Sequence, residues 1–416
     1  MVLYNLFLLL YKLLAKAAAP FNNKVKLWVL GQDAVWNEIT ALAQNIQKPI
    51  IWVHCASYGE FEQGLPIIEK VKADYPGYQV WLTFFSPSGY QHRKNDPTVD
   101  FVTYLPMDGS SNAKHFFDLV QPKLVLFIKY EFWFYYLAEA KKRNIPTLLV
   151  AAIFRSNQIF FKWYGGFYKK ILSLFYGILV QDENSKKLIS SIFAERNIIV
   201  TGDTRFDRVG STAKISWSFD WLQKLNNAKI IIAGSTWEKD HMLLSSLSEK
   251  YSHLNWIIVP HHVDATSIEK CLQVFNNATT LTSFIATHQK FNNAKVIIVD
   301  QIGLLRNLYQ HAFVTYIGGG FGREGIHNLL EPAAFGKPVL WGPNDEKYIE
   351  ARGLVNAGGG FKIHDVNSFS KTLDLLLDQS EKYAKACESS TNFIAHNAGA
   401  TQKTMEFIYK NRLLTN

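Results

Sequence analysis

The sequence predicts an α/β chain of two doubly wound, Rossmann-like domains facing a cleft, with an apolar helix ahead of them. Three observations carry that fold class. Short runs rich in Ile and Val alternate with amphipathic stretches of ten or more residues, the rhythm of a largely parallel sheet covered on both faces. The rhythm closes near Asp207 and restarts at Lys229. The 416 residues also exceed the length at which one core stops growing, so two domains of about 200 residues follow.

In the first domain, strands are read at IWVHC (51–55), QVWLTFF (79–85), FVTYLP (101–106), KLVLFI (123–128), TLLVAAIF (147–154), YGILVQD (176–182) and NIIVTG (197–202). Between them, GEFEQGLPIIEKVKADYP is a helix ended near Pro76, and further helices cover 110–119, 132–143 and 184–195. In the second domain, KIIIAGS (229–235), NWIIVPH (255–261), AKVIIVD (294–300), FVTYIGG (313–319), KPVLWG (337–342) and a short GGFKIH (359–364) read as strands. Helices are predicted at 238–250, 265–275, 302–309, 325–335 and 346–356, with final ones over 367–386 and 398–411. Open α/β sheets bind ligands beyond the carboxyl ends of their strands, so chemistry is expected in the residues that follow each strand.

Composition narrows the function. A hydrophobic content of 48% with interspersed charge belongs to a folded chain. The 44 Lys+Arg against 35 Asp+Glu leave a formal charge of +9, which favours an anionic partner. No dense Arg/Lys run speaks for a nucleic-acid groove. Cys55, Cys271 and Cys387 are sparse, odd in number and without metal-ligand spacing, pointing to a reducing compartment and no disulfide scaffold. Neither GxxxxGK(S/T) nor HExxH occurs, so P-loop and zincin chemistry lose ground.

Val2 to Ala19 is almost wholly apolar, yet Asn5, Lys12 and Lys16 fall within about 40° of one another on a helical wheel. No acidic residue precedes Asp33, whereas Lys12, Lys16, Lys24 and Lys26 do. The pattern fits a helix lying in the surface of an anionic bilayer. A signal peptide, a single spanning helix and an apolar helix docked on the protein itself are the other readings. The positive charges follow the apolar run instead of preceding it, and two lysines interrupt a stretch near the minimum spanning length.

Polar residues at strand ends carry the candidate chemistry. Ser57, Gly59 and Glu60 follow the first strand and open the next helix, where a carboxylate can accept a proton from a substrate hydroxyl. The same spacing satisfies a capping box, Ser57 with Glu60 three residues on, and a carboxylate engaged in the cap is not free as a base. Glu131 emerges from another strand beside Lys129 and the aromatic run Phe132, Trp133, Phe134, which reads as helix-face packing or as a stacking platform. Arg155 and Ser156 follow a third strand. Arg205, beside Asp203, offers a phosphate fork or a structural ion pair.

In the second domain, Ser235 and Thr236 stand at a helix start, as an anion site or as a cap. His261 and His262 are adjacent and so point apart, with no third metal ligand near them in sequence. Gly318, Gly319 and Gly320 let the backbone turn sharply and approach a nucleotide or phosphorylated sugar, or else pack a strand against its helix. Asn328 and Glu331, three residues apart, are predicted to share one face of the helix over 325–335.

Taken in order and spacing, Ser57-x-Gly59-Glu60, Glu131 with Trp133, Arg155-Ser156, GDTRFD (202–207), GSTWEKD (234–240) and GGGFGREGIHNLLEPAAFGKPVLWGP (318–343) resemble the lipid A Kdo (3-deoxy-D-manno-octulosonic acid) transferases. These are inner-membrane-associated glycosyltransferases of Gram-negative bacteria, and the correspondence runs along nearly all of the chain. The resemblance implies a GT-B glycosyltransferase with an N-terminal membrane-associated helix (1–24). It implies an N-terminal acceptor-binding domain (25–207) and a C-terminal nucleotide-sugar donor-binding domain (208–416) whose last helix can pack back on the first.

It further implies a CMP-Kdo donor, an anionic lipid A precursor (lipid IVA) as acceptor, no metal or other cofactor, and no nucleic-acid partner. The implied location is the cytoplasmic face of the cell inner membrane, peripheral or held by a single N-terminal anchor. By the same resemblance Glu60 is the base that deprotonates the acceptor hydroxyl, and Glu131 is a supporting acid. Ser57, Gly59, Arg155 and Ser156 then serve the acceptor. Arg205, Ser235, Thr236, His261, His262, Gly318, Gly319, Gly320, Asn328 and Glu331 serve the donor. The chain departs from the family pattern at Pro260-His261-His262, where relatives carry Pro-Arg-His, and at Asp203, where Asn is common.

Overall fold

The computed structural model describes residues 1–194, 197–225, 229–286 and 295–415. Glu195, the predicted end of one helix, and Ala294, the predicted start of one strand, lie outside the described residues. The chain forms two compact units, one of Met1–Arg208 with Ala398–Asn416 and one of Val209–Asn397.

The first unit runs α1 (Val2–Ala18), α2 (Asn23–Ala43), β1 (Ile50–Cys55), α3 (Tyr58–Asp74), β2 (Gln79–Phe84), α4 (Pro87–Arg93), β3 (Phe101–Tyr104), α5 (Ser110–Val120) and β4 (Pro122–Ile128). It continues through α6 (Phe134–Lys142), β5 (Thr147–Ala152), α7 (Gly166–Leu172), β6 (Gly177–Val180), α8 (Glu183–Ile189), β7 (Ile198–Val200) and α9 (Thr204–Ala213). Its strands pair in parallel in the order β3-β2-β1-β4-β5-β6-β7. The order reverses between β1 and β4, so a crevice opens beyond their carboxyl ends. All six residues of β1 and of β5 are buried, as a sheet covered on both faces requires. Trp52, Phe116 and Phe127 fill one face, and Ile67, Leu126 and Phe407 the other.

The second unit runs β8 (Ile230–Thr236), α10 (Glu238–Lys250), β9 (Asn255–Pro260), α11 (Ala265–Val274), β10 (Ala278–Thr280), α12 (Leu281–Ala286) and β11 (Val296–Ile298). Then come α13 (Leu305–Leu308), β12 (Val314–Ile317), α14 (Leu330–Ala334), β13 (Val339–Trp341), α15 (Ile349–Ala357), β14 (Gly360–Lys362), α16 (Val366–Asp378) and α17 (Ser380–Asn397). The parallel order β10-β11-β9-β8-β12-β13-β14 reverses between β8 and β12. The last helix, α18 (Ala400–Lys410), belongs to the first unit. Asp207 caps it, accepting from the Thr401 amide at 2.7 Å and hydroxyl at 2.8 Å.

Several elements differ from the sequence reading. Helix α2, capped by the Asn22 side chain on Lys24 N (3.0 Å) and Val25 N (3.2 Å), is weakly amphipathic and was not foreseen. Helices α4, α7 and α12 and the edge strand β10 were not foreseen either. Helix α6 begins at Phe134, leaving Phe132 and Trp133 in the loop, and the stretch 367–386 is broken at Gln379 into α16 and α17. The largest correction concerns the glycine-rich segment, where no helix forms until Leu330.

Candidate functional site

At the reversal point of the first sheet, β1 delivers the loop with Ser57 and β4 the loop with Glu131. The Ser57 amide donates to Glu60 Oε2 at 2.9 Å, and the Ser57 hydroxyl lies 3.3 Å from the same oxygen. The capping box is therefore formed. It uses only one carboxylate oxygen, and Glu60 Oε1 has no protein partner among the described residues. Burial raises the Glu60 pKa above the usual carboxylate range and the negative Glu131 adds to that, while His54, the Ser57 amide and Lys129 pull it back.

Glu131 is 5% exposed and is held by two donors. His54 Nε2 lies 2.9 Å and Trp133 Nε1 2.5 Å from its Oε2. The Trp52 indole N–H donates to Thr83 Oγ1 at 2.8 Å, and His54 Nδ1 lies 2.8 Å from that hydroxyl and 3.1 Å from Thr83 O. The ring is thereby held with Nε2 turned to Glu131 and to the Trp133 N–H. A chain of hydrogen bonds thus runs from the aromatic core to the carboxylate at the mouth of the sheet. Trp133 is neither helix-face packing nor a free platform, since its ring lies on Phe85 (centroids 4.8 Å) while its N–H holds Glu131.

Gly59 lies nearby with open space where a Cβ would be. Arg155 and Ser156 are exposed beyond β5, and the Arg155 amide donates to Gln158 Oε1 at 3.0 Å. Arg205 belongs to the first unit and closes on Asp203, with Nε at 2.8 Å and a terminal nitrogen at 2.7 Å from Oδ2. That is the ion-pair reading of the residue.

At the reversal point of the second sheet the stock of side chains is different. Ser235 takes a left-handed backbone (φ 53°), and Thr236 Oγ1 is 2.9 Å from His241 Nε2. Trp237 lies against His261 (centroids 4.6 Å, 18°), and His261 against His327 (4.5 Å, 21°). The Trp237 N–H donates to His327 Nε2 at 2.9 Å, which places the His327 proton on Nδ1. Burial lowers the pKa of His327 to about 4, helped by His261, and burial lowers that of His261 as well, so this ring cluster is neutral at pH 7. Thr236, Trp237, His261 and His262 line a groove of about 790 Å³ whose rim carries Lys239, Lys270 and Arg323.

The three glycines are not in the groove's lining, which takes Gly322 from the same turn; they are fixed by close packing instead. A Cβ on Gly318 would meet Ser235 O at 2.4 Å, and one on Gly320 would meet Gly342 N at 2.6 Å, while Gly319 has φ 90°. Gly320, Gly322 and Gly325 have the spacing of a dinucleotide fingerprint, but no helix follows them directly, so the anion site that such a helix would supply is missing. Asp240 is the residue that holds this turn. It accepts from Gly319 N at 2.8 Å, Trp237 N at 2.8 Å and the Tyr316 hydroxyl at 2.6 Å. Burial raises its pKa against those donors.

Asn328 does not share a helix face with Glu331. It is exposed ahead of α14, and its side chain accepts from Leu330 N at 3.1 Å. Glu331 pairs with Arg306 at 3.1 Å. Thr236, His261 and His262 are thus brought together, whereas Asn328 and Glu331 do not line the groove. The sequence reading missed His54, Thr83, Asp240 and His327 as participants. A polar residue inside an otherwise apolar strand, as in WVHC and WLTF, is the available signal for the first two, because a buried polar group needs a partner.

The model of the family described as 3-deoxy-D-manno-octulosonic-acid transferase (kdotransferase) matches residues 34–208. A 3-deoxy-D-manno-octulosonic acid transferase of Aquifex aeolicus is 29% identical over 345 residues, 80% of this chain and 88% of the relative. One from Chlamydophila psittaci is 28% identical over 368 residues, covering 86% and 84%. Among solved structures, UDP-GlcNAc 2-epimerase from Neisseria meningitidis superposes with TM-score 0.59 at 18% identity, over 87% of this chain and 100% of that one. This last likeness speaks for the fold alone, a pair of parallel β/α domains of the GT-B kind. On the family match and the run of relatives along most of its length, the chain is a glycosyltransferase similar to the 3-deoxy-D-manno-octulosonic-acid transferases.

Proposed function

We propose that the protein transfers Kdo from CMP-Kdo to a lipid A precursor, lipid IVA, in lipopolysaccharide inner-core synthesis. The observation that carries this reading is the Glu60 carboxylate. One oxygen is fixed by the cap, the other has no partner among the described residues, and burial and Glu131 raise the proton affinity of Glu60. The cap and the base readings are compatible, because the cap orients the carboxylate that does the chemistry. In the reaction the acceptor hydroxyl oxygen attacks the anomeric carbon and its proton passes to Glu60 Oε1. The bond from that carbon to the phosphate oxygen breaks, its electron pair leaves with CMP, and the configuration inverts.

Glu131, held by His54 and Trp133, keeps a second negative charge beside the base and serves as the supporting acid of the acceptor pocket. Ser57, Gly59, Arg155 and Ser156 border the acceptor. In the second unit the groove between Thr236, Trp237 and His261 takes the nucleotide, with His262 in its lining, while Ser235 and Gly318 to Gly320 serve it by setting the turns that carry Thr236 and Gly322. Lysine and arginine at its rim offset the charge that develops on the leaving phosphate, so no metal is called on. Arg205, Asn328 and Glu331 keep a donor role only as residues that hold neighbouring loops.

The place of action we propose is the cytoplasmic face of the inner membrane, with α1 lying in the bilayer surface. No helix among the described residues is long and apolar enough to cross a membrane. The polar side of α1 is turned to the protein, with Asn5 accepting from the Tyr135 hydroxyl at 2.6 Å and Lys16 3.8 Å from Asp33. Its apolar side is exposed at Val2 and Leu3 (81% each) and at Phe7 (60%). This distribution supports an apolar face turned to lipid.

The test is to incubate the detergent-solubilised protein, without added metal, with a tetra-acylated bisphosphorylated acceptor and CMP-Kdo generated in situ. Mass spectrometry of the lipid is expected to show increments of Kdo and counts the sugars added. CMP binding without any increment would overturn the reading in favour of a non-catalytic binder.

A further inference from the structure

Beside the carboxylate pocket lies a second cavity that the transfer chemistry does not use. A groove of about 530 Å³ runs between α1, α2 and the loop after β2, lined by Tyr11, Leu14, Ala15, Trp28 and Phe85, with Lys24 at its edge. Its volume is that of a small-molecule site. Its rings form one wall, Tyr11 with Trp28 at 5.4 Å and Trp28 with Phe85 at 5.5 Å between centroids.

Two contacts join this groove to the site of chemistry. The opposite side of the same wall is Trp133, whose ring centroid lies 4.8 Å from that of Phe85 and whose N–H holds Glu131. The Ser86 amide, in the lining, donates to Ala56 O at 2.7 Å, one residue before Ser57. Of the groove's lining, Leu14 is 68% exposed and Tyr11 37%, and its cation is Lys24. An occupant that fits is apolar along its length, with an anionic group at Lys24 and its polar end toward Ser57.

We infer that this groove takes one acyl chain of the acceptor lipid and so positions the sugar hydroxyl at the carboxylate pocket. The inference rests on the acceptor proposed above and adds the place where its apolar part is read. It makes acylation a determinant of rate, because a chain seated beside Phe85 fixes the headgroup to which it is attached.

The experiment compares kcat/KM for the tetra-acylated bisphosphorylated disaccharide with that for its fully deacylated form, using the full chain in detergent. The wild type is expected to prefer the acylated acceptor at least tenfold. Ala15→Trp, which fills the groove with a side chain, is expected to cut that preference at least tenfold, and Ala18→Trp replaces it if that variant fails to fold. An unchanged preference in a folded variant overturns the inference.

A second arm does not depend on transfer. A tetra-acylated acceptor carrying a diazirine in one chain is photolysed on the wild type, and label on peptides containing Tyr11, Trp28 or Phe85, competed by unlabelled acceptor but not by phospholipid, supports the groove. Label elsewhere, or equal competition by phospholipid, overturns it. Failure of the wild type to transfer to either acceptor sinks the proposed reaction, and the cross-linking result still decides the groove.

Discussion

Both units are seven-stranded parallel sheets, differing in strand order on one side, and each places its candidate residues beyond the strands where the order reverses. What stands there differs. In the first unit two carboxylates lie close together, and burial raises the proton affinity of Glu60 while hydrogen bonds from His54 and Trp133 hold Glu131. In the second unit the corresponding position holds three packed glycines, an indole and neutral imidazoles whose pKa values burial drives down. Burial acts on both in the same way, disfavouring the charged form. On a carboxylate that yields a stronger base, whereas on an imidazole it yields an uncharged stacking and hydrogen-bonding surface. Under the proposed reaction, parallel β/α units thus serve proton transfer in one case and nucleotide binding in the other through the choice of residue type.

The comparison breaks most sharply at Glu60. Glu60→Gln is expected to lower kcat by about 10² to 10⁴, the usual contribution of a general base, with CMP affinity by calorimetry unaltered. Retained turnover in that variant would leave Glu60 as a cap alone.

Glycine tests the same contrast through stability. Gly318→Ala brings a Cβ to 2.4 Å from Ser235 O, while Gly59→Ala meets open space. The first is expected to cost about 1–3 kcal/mol, typical of overpacking, and to lower the melting temperature by several degrees. Thermal scans of Gly59→Ala should superpose on the wild type.

In the donor groove, Trp237→Ala is expected to weaken CMP binding about tenfold, or ~1.4 kcal/mol, through loss of the ring face. Since burial lowers the pKa of His327 to about 4 and shifts His261 the same way, CMP affinity should stay flat from about pH 7 to 8, above the second ionisation of the phosphate. A rise in affinity on acidification through that window would mean that an imidazolium binds the phosphate.

The smallest effect sharpens the first unit. Glu60 is active as a base when deprotonated, and the charge of Glu131 raises its pKa. Glu131→Gln removes that influence, so the acid limb of the kcat/KM profile should move to lower pH. Movement in the opposite direction would show that Glu131 acts on Glu60 through something other than its charge.

Much of this was legible along the chain because a parallel sheet buried on both faces demands unbroken apolar runs, and those mark the strands whatever their partners. Glu60 and Glu131 were found because each directly follows such a run. Helix α2 escaped because its apolar positions make only a weak stripe, and Trp28, Val35 and Ile39 are the residues it buries. The predicted helix over 325–335 failed because the turn before it is held by distant partners, Gly319 by Asp240 and Gly320 by Gly342, and His327 N donates back to Gly318 O, which no local pattern announces.

By itself the sequence determined the two-unit α/β architecture and the residue types at each strand end, since these follow from periodicity and from side-chain chemistry that does not depend on neighbours far along the chain. Only the tertiary structure decided that Glu60 has one oxygen in the cap, that His54 Nε2 meets Glu131 across 77 positions of chain, and that Asn328 and Glu331 part company. Hydrogen-bond partners, burial and the pKa values they set belong to groups brought together from distant segments, and those meetings exist only in the folded chain.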